Sequence, residues 1–313
     1  MKLPEPIYNL TSLIDQYHAD RKSPPRGHLG VSLLGHHCDR YLWLAFRWAI
    51  QEKFEGRILR LFRRGHMEED VIIRDLRAVG VDIRSSQRRV NFGSHVSGSL
   101  DGIIEGGLPE APKTSHVAEF KTHSKKSFDE LVAKGVERAK WQHYVQMQVY
   151  MHGTDLKRAL YLSVCKDDDR LYSERIKYDR EVAEKYVERG KRLALAERIP
   201  EPMPGGGPDW FQCKWCPAYA FCWKAEPTKH ANCRTCAHST PMANSTWRCE
   251  RHDSDGIPEK FQHEGCDDHI IHPDMVPWQM IPSDDGLSVM WKIDDRVIEN
   301  GPVSYTHLRA HET

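Results

Sequence analysis

The order in which two hydrophobic periodicities follow one another is the feature that most limits how this chain can fold. Residues 35–50 and 57–80 repeat apolar side chains at helical spacing, and the second repeat stops at Gly80. Residues 81–122 change to short β-rich runs, interrupted by a Gly- and Pro-rich loop at 106–115. This succession predicts two helices followed by a meander of strands.

Helical spacing returns after the strands. The remaining predicted elements are helices at 127–135 and 136–153, a hairpin formed by 158–165 and 170–179, and a closing helix at 179–198. We therefore expect an α/β fold. The stretch PEPMPGGGP at 200–208 predicts a break between this α/β body and a cysteine-bearing segment.

Composition narrows the classes of protein that this chain can belong to. The 313 residues are 39% hydrophobic and 29% charged, which is ordinary for a globular protein with a buried core. No apolar run is long enough for a membrane-spanning helix, and MKLPEPIYNL lacks the apolar stretch of a secretory signal. We expect a cytoplasmic protein with no membrane partner.

The charge balance and the cysteines point to partners and metals. Basic and acidic residues number 45 each, so a nucleic-acid partner would need a local basic groove. Nine cysteines in a chain without an export signal favour metal or redox chemistry over a disulfide framework.

A carboxylate and a lysine share one strand in HVAEFKT. Glu119 and Lys121 are two residues apart, so on a strand both side chains point to one face. Asp101 lies at the end of an earlier β run, and a hairpin could bring its carboxylate beside that of Glu119. Two carboxylates on neighbouring strands suit Mg²⁺ or Mn²⁺, and a nearby lysine could orient or deprotonate a water. The alternative is a solvated surface pair.

Helical residues on either side could complete this site. His66 and Glu69 are three apart on one helix face, where the imidazole could join a metal shell. Gln146 and Tyr150 are one helical turn apart and could hydrogen-bond the lysine, a strand or DNA. Each also has an ordinary interpretation: a surface or core histidine, and a half-buried amphipathic helix.

The ordered set resembles the RecB-like branch of the PD-(D/E)XK nuclease superfamily over roughly residues 30–225. The resemblance rests on a helical histidine, an aspartate in GSLD, an E-x-K strand and a helical Q-x-x-x-Y, carried here by His66, Asp101, Glu119, Lys121, Gln146 and Tyr150. It implies a restriction-endonuclease-like αβββαβ core that hydrolyses DNA with a divalent metal. It also implies that His66, Asp101 and Glu119 are metal ligands and that Lys121 is the catalytic lysine.

A first group of cysteines follows the break. Cys213, Cys216 and Cys222 form C-x2-C-x5-C, and Cys38 far upstream is the candidate fourth ligand. Four thiolates suit either an iron–sulfur cluster or a structural zinc ion, and spacing does not choose between them. The pattern resembles the cysteine staple of AddB-type nucleases and CRISPR-adaptation exonucleases, which implies a structural 4Fe–4S cluster. Zinc is the alternative.

A second group follows with the spacing C-x2-C-x12-C-x16-C. Its members are Cys233, Cys236, Cys249 and Cys266, and they predict a zinc-binding module in which His252 or His269 could replace one cysteine. The segment has few apolar side chains, so we expect it to need metal to fold. A disordered tail is the alternative. The ninth cysteine, Cys165, lies in a predicted strand and is expected to be a small buried hydrophobe.

Basic and aromatic residues near the site are candidates for DNA contacts. Arg57, Arg60, Arg63 and Arg64 precede His66, and Lys125 with Lys126 follow the E-x-K strand. Such side chains bind phosphates without reading sequence, although a solvated helix face is the ordinary explanation. Trp210, Trp215 and Trp223 could stack on unpaired bases, but packing around the first cysteine group is the preferred role.

These patterns predict four segments. Residues 1–227 would form the nuclease domain with its cysteine staple, 228–272 the zinc module, and 273–302 a C-terminal extension. Residues 303–313 resemble the translation of a sequencing adapter and are left out of the fold prediction.

The leading functional hypothesis is a Mg²⁺- or Mn²⁺-dependent DNA exonuclease of recombination, repair or DNA processing, of phage or bacterial origin. Its partner would be DNA with a single-stranded end. No G-x-x-x-x-G-K-[ST] segment occurs, so a helicase would be a separate partner. The competing hypotheses are a nucleic-acid-binding metalloprotein without catalysis and a structure-selective endonuclease.

Overall fold

The structure is a computed structural model, and it describes residues 9–21, 24–84, 87–282 and 288–300. The predicted adapter-like segment 303–313 lies outside the described residues. The described α-helices are α1 (Leu10–Ala19), α2 (Asp39–Phe46), α3 (Gly56–Ala78), α4 (Lys125–Ala139), α5 (Trp141–Thr154), α6 (Arg180–Leu195), α7 (Phe211–Lys214), α8 (Tyr219–Trp223) and α9 (Glu259–Glu264). In this part of the chain no helix is both long and apolar enough to cross a membrane.

Four sheets accompany the helices. The strands are β1 (Leu29–Gly30), β2 (Ile83–Arg84), β3 (Arg89–Gly93), β4 (Val96–Ser99), β5 (Gly102–Ile104), β6 (His116–His123), β7 (Arg158–Cys165), β8 (Leu171–Lys177), β9 (Ser239–Pro241), β10 (Trp247–Cys249), β11 (Ser254–Asp255), β12 (Gln279–Pro282), β13 (Val289–Ile293) and β14 (Arg296–Asn300). The sheet orders are β2-β5-β6-β7-β8, β1-β4-β3, β11-β10-β9 and β12-β13-β14. The mixed α/β class is confirmed, and β7 and β8 form the predicted antiparallel hairpin.

The chain forms two compact units. The first comprises residues up to Pro25, Glu52–Asn91 and Gly98–Tyr186, and the second comprises Arg26–Gln51, Phe92–Ser97 and residues from Val187 onward. These bounds differ from the segment ends predicted at 227 and 272. The core of the second unit explains the difference, because Trp43 and Leu44 of α2 pack with Ala218 and Met275 from distant parts of the chain.

The first unit is built on the five-stranded sheet. In β6, Ala118 and Phe120 point to one face and pack against Ile72 of α3 in a fully apolar cluster. Their neighbours Glu119 and Lys121 therefore point to the other face, as the period of two in a strand requires. Helix α3 is amphipathic and ends before Gly80, whose φ of +85° is the left-handed geometry that favours glycine after a helix.

The second unit contains all of the cysteines except Cys165. Cys165 is buried at the end of β7, which agrees with its expected role as a small hydrophobe. The segment after the break folds into short elements: α7, α8, a 3-10 turn at Cys233–Thr235, the sheet β9–β11 and α9. The metal-binding character predicted for this segment is not shown by the fold itself.

Candidate functional site

Two carboxylates face each other across the hairpin of β5 and β6. The register pairs Gly102 with Ala118, so Asp101 lies opposite Glu119. The Phe120 backbone N–H donates to Asp101 Oδ2 over 2.8 Å and holds this carboxylate in place. Because directly opposite residues of an antiparallel pair share one face, both carboxylates project to the same side of the sheet.

Lys121 lies between these carboxylates. Its Nζ forms an ion pair with Glu119 Oε1 and is 3.7 Å from Asp101 Oδ2, and it donates to the Phe120 carbonyl over 3.0 Å. The Lys121 side chain is 25% exposed, so part of it lies at the protein surface. Burial lowers the pKa of Lys121, but the Glu119 and Asp101 carboxylates together raise it by more, which keeps the group cationic.

Glu119 is the most deeply buried member of the site. The residue has 0% exposure, and its Oε2 accepts no hydrogen bond. Burial raises the pKa of the Glu119 carboxyl, and the Asp101 carboxylate raises it further, while Lys121 lowers it. A buried carboxylate with an unpartnered oxygen is costly unless a cation joins it.

Helix α3 brings a third carboxylate to the site. Burial raises the pKa of Glu69 to about 7, and the Asp101 carboxylate adds to the increase while Lys121 opposes it. Glu69 was noted in the sequence only as a neighbour of His66. His66 itself is exposed, and in the described residues no hydrogen bond or ion pair joins it to Asp101 or Glu119. Its predicted ligand role therefore has no contact to support it.

Helix α5 covers the same face of the sheet with buried polar residues. The Tyr150 hydroxyl donates to the Ser99 carbonyl over 2.7 Å, two residues before Asp101. Gln146 is also buried, one turn earlier on the helix. Tyr150 thus ties α5 to the end of β4, just before Asp101, which is a positioning role.

Sequence reasoning missed a polar network beside Lys121. The Tyr161 hydroxyl lies 2.8 Å from His123 Nε2 and 2.9 Å from His143 Nδ1. Tyr161 is the register partner of Glu119 on β7. Burial lowers the pKa of His123 to about 4 and that of His143 to about 3, so both rings are neutral at pH 7. A signal existed, since His123 is two residues beyond Lys121 on the same strand face.

The donor chemistry of the site fits a hard divalent cation. As the side chains stand, no three His, Cys, Asp or Glu residues of the described chain are grouped so that they could hold a metal ion. The carboxylates of Asp101 and Glu119 share the Lys121 ammonium instead. Oxygen ligands of this kind are those that Mg²⁺ and Mn²⁺ prefer, and the unpartnered Glu119 oxygen is available to such an ion.

The first cysteine group converges in the second unit. Cys38, Cys213, Cys216 and Cys222 all line one pocket. Cys38 caps the N-terminus of α2, where its sulfur accepts from the Tyr41 N–H over 3.5 Å. Burial raises the pKa of Cys216 to about 11, with further increases from the other three cysteines. Trp210 and Trp223 line this pocket, whereas Trp215 is 86% exposed.

The basic residues of α3 line a groove in the first unit. Its lining comprises Arg57, Arg60, Leu61, Arg63, Arg64 and Met67. Arg60 pairs with Asp15 of α1, and Lys125 pairs with Asp129, so these two cations are partly neutralised. A Cβ on Gly65 of α3 would lie 4.0 Å from the Thr122 hydroxyl oxygen. The groove is therefore close to β6, the strand that carries Lys121.

Comparison with known proteins finds only distant likenesses. No family model matches the sequence, and no curated protein matches it. The solved structure of SSO0001 is 16% identical over 69% of this chain and 96% of its own, with a TM-score of 0.42. An alkaline exonuclease from Laribacter hongkongensis is 17% identical over 54% of this chain and 87% of its own, with a TM-score of 0.38. A phage-related exonuclease from Haemophilus somnus is 19% identical over 41% of this chain and 66% of its own, with a TM-score of 0.31.

Proposed function

We propose that this protein is a divalent-metal-dependent deoxyribonuclease of the PD-(D/E)XK type that acts as an exonuclease. The observation that carries the proposal is the pairing of Asp101 and Glu119 across two strands with the Lys121 ammonium between them. A binding module gains nothing from burying two carboxylates and a lysine together, because such burial costs stability. Two carboxylates that can hold a divalent cation, with an ammonium beside them, can serve the hydrolysis of a phosphodiester.

Asp101 and Glu119 would hold the metal, with Glu69 as the third carboxylate and His66 as the ligand that the sequence pattern predicts. When bound, Mg²⁺ or Mn²⁺ would supply Lewis acidity to the phosphodiester and lower the pKa of a water. The raised pKa of Glu69 means that a proton must leave this carboxyl before it can bind a cation near pH 7.

Lys121 would act on the phosphate directly. Its ammonium is held at the face of the site by Glu119 and the Phe120 carbonyl. An ammonium fixed in this way can stabilise the negative charge that grows on the phosphate oxygens during in-line attack. Tyr150 and Gln146 would hold α5 and the Asp101 strand in place rather than touch the substrate.

DNA would reach this site along the arginine groove of α3. Arg57, Arg63 and Arg64 are exposed, and side chains of this kind bind phosphates without reading bases. A single-stranded end as the substrate and a separate helicase as a partner remain predictions from the sequence.

The first cysteine group would hold a structural cluster. Four thiols line one pocket, although Cys38 is far from the other three in sequence, and such a set fits a 4Fe–4S cluster or a zinc ion. The family resemblance favours the cluster. Iron and sulfide analysis of anaerobically purified protein separates the two, because a zinc site contains neither.

Cleavage of labelled DNA tests the proposed activity. Linear single- and double-stranded DNA, labelled at either end, is incubated with the protein and Mn²⁺ or Mg²⁺, with closed circular DNA as the matched substrate without ends. We expect release of nucleotides or short oligonucleotides from linear DNA and no cutting of the circles. Cutting of circles would indicate an endonuclease. Intact linear DNA would overturn the proposal in favour of a binding protein.

A further inference from the structure

The segment 228–272 lacks an apolar core of its own. Within these residues, all of which the structure describes, Trp247 and Ile270 are the large apolar side chains that are buried. The other buried positions are Cys236, Pro241 and the polar residues Asn232, Arg234, Thr235, Ser239, Gln262 and His269. Burial of so little apolar surface offsets only part of the chain entropy lost when this segment is ordered, so a cross-link within it would add to its contacts with the rest of the second unit.

The backbone brings the four cysteines of this segment together. Cys233 and Cys236 flank a 3-10 turn, and the Cys236 N–H donates to the Cys233 carbonyl over 3.2 Å. Cys249 ends β10 opposite Ser239, whose N–H donates to the Cys236 carbonyl over 3.3 Å. The strand pairing thus carries the third cysteine to the turn that holds the first two.

The fourth cysteine arrives through a close approach of backbones. Gly265, just before Cys266, has a φ of +69°, and a Cβ built on it would lie 3.5 Å from the Ala231 carbonyl oxygen and from Asn232 Cα. Asn232 directly precedes Cys233. Gly265 therefore lets the chain bring Cys266 beside the first cysteine pair.

The histidines that could replace a cysteine have other partners. His269 Nε2 lies 3.1 Å from the Thr235 hydroxyl in the interior. His252 Nε2 lies 3.7 Å from the Cys266 sulfur and 3.4 Å from Asp268 Oδ2, which suits a group that supports a thiolate from outside. The sulfur atoms of the four cysteines are the donors that remain.

We propose that Cys233, Cys236, Cys249 and Cys266 form a structural tetrathiolate zinc site that holds the loop carrying Arg234 in place. The thiols turn toward a common centre when the ion binds, since the backbone already places them together. The site goes beyond the proposed nuclease activity and is independent of Asp101 and Glu119.

The loop between the first two cysteines explains what the zinc ion stabilises. Arg234 is 1% exposed and donates to the carbonyls of Phe46 and Gly27 and to Gln262 Oε1 over 2.9–3.0 Å. Its guanidinium lies 3.7 Å above the Trp48 ring, and His263 stacks on Trp48 at 3.9 Å. A buried guanidinium is tolerated only where its partners are fixed, and zinc fixes the loop that presents it.

Thiol alkylation of the full-length protein tests this site without any substitution. Cys266 is exposed, so iodoacetamide can reach its thiol when no metal ion holds the sulfur. We expect zinc-loaded protein to alkylate at Cys266 at least about tenfold more slowly than the same protein after treatment with a strong zinc chelator. Equal rates before and after chelation would overturn the proposal.

Zinc analysis of two matched variants gives the second readout. We expect one zinc ion per chain to be lost in Cys249→Ser and retained in Cys165→Ser, because Cys165 is buried in β7 in the other unit. A zinc content of Cys249→Ser equal to that of the parent protein would refute the site. If Cys249→Ser does not fold, the alkylation rates of the parent protein decide the question. Neither readout depends on DNA cleavage.

Discussion

At Glu119, a single residue combines complete burial with an oxygen that has no hydrogen-bond partner. Burial makes the protonated, neutral form of such a carboxyl group more favourable than the carboxylate, unless a cation is present. Asp101 raises the pKa of Glu119 further, and Lys121 lowers it. A carboxylate in this setting is poised to exchange its proton or its ammonium partner for a metal ion.

Tyr150 offers a test of positioning at the scale of one hydroxyl. Tyr150→Phe removes the 2.7 Å hydrogen bond to the Ser99 carbonyl and keeps the ring. We expect the free energy of unfolding to fall by about 1 kcal/mol, because a partly buried hydrogen bond is lost. DNA hydrolysis should fall by a smaller factor than in a variant of Lys121. An unchanged melting temperature would contradict the positioning role.

His143 makes stability depend on pH. Its pKa falls from 6.5 in the unfolded chain to about 3 in the fold, owing first to burial and then to Lys121, His123 and Lys140. Protonation therefore favours the unfolded chain, so the stability is complete above pH 6.5 and is lost as pH falls toward 3. His143→Asn keeps a polar atom near Nδ1 but does not titrate. Its melting temperature should decline less between pH 6.5 and 4 than that of the parent, and equal declines would refute the assignment.

At the scale of elements, the period of two in a strand predicted which residues of β6 share a face. It did not predict which residues the neighbouring helix and strand bring to the site. The two-residue spacing of Glu119 and Lys121 fixed their shared face, and the register of β5 and β6 then placed Asp101 opposite. Glu69 was missed because its approach depends on how α3 is rotated over the sheet, which helical spacing does not specify. Tyr161 was missed because parallel register between β6 and β7 is set by the helices that connect them.

A kink inside α4 lies at the boundary between the helices predicted at 127–135 and 136–153, although the sequence did not show which residue packs against it. Gly135 interrupts α4 with a φ of +73°, and the Val136 N–H donates to Glu174 Oε2 over 2.8 Å. A Cβ on Gly135 would lie 3.3 Å from that same carboxylate oxygen. Gly135→Ala should lower the free energy of unfolding by roughly 1–3 kcal/mol for the backbone, because a φ of 73° with a ψ of 169° is adopted almost only by glycine, plus the cost of displacing Glu174.

Gly80→Ala is the matched control for this substitution. Gly80 also has a positive φ, but a Cβ there would meet nothing within 4 Å. Chemical denaturation should show a larger loss for Gly135→Ala than for Gly80→Ala. Equal losses would mean that Glu174 adapts without cost.

At the scale of the whole molecule, the last boundary between the two compact units lies between Tyr186 and Val187, before the Pro- and Gly-rich stretch. The first cysteine group, Cys38 included, belongs to the same unit as the second. Composition marked the Pro- and Gly-rich stretch at 200–208 correctly as irregular, since no helix or strand of the structure includes it. Composition could not show that α2 packs against residues more than 150 positions later, because such contacts leave no periodic signal in the sequence.

This arrangement predicts how truncation acts. A chain that ends at residue 227 loses Met275, which is fully buried against Trp43, Leu44 and Ala218, and loses Trp247. We expect the second unit to unfold, since removing one large core side chain alone costs about 2–5 kcal/mol. Limited proteolysis should cut rapidly within residues 26–51 of the shortened chain. Protection equal to that of the full chain would contradict the two-unit division.

The central claim is that Asp101, Glu119 and Lys121 form the hydrolytic centre, and the rate of Mn²⁺-dependent DNA hydrolysis by Glu119→Gln tests it most directly. The matched control is Glu105→Gln, an exposed glutamate that pairs with Arg84 in the same unit. If the claim holds, Glu119→Gln remains folded and loses at least about 100-fold in rate, while Glu105→Gln keeps the parental rate. A Glu119→Gln protein that cuts DNA as fast as the parent would show that hydrolysis takes place elsewhere.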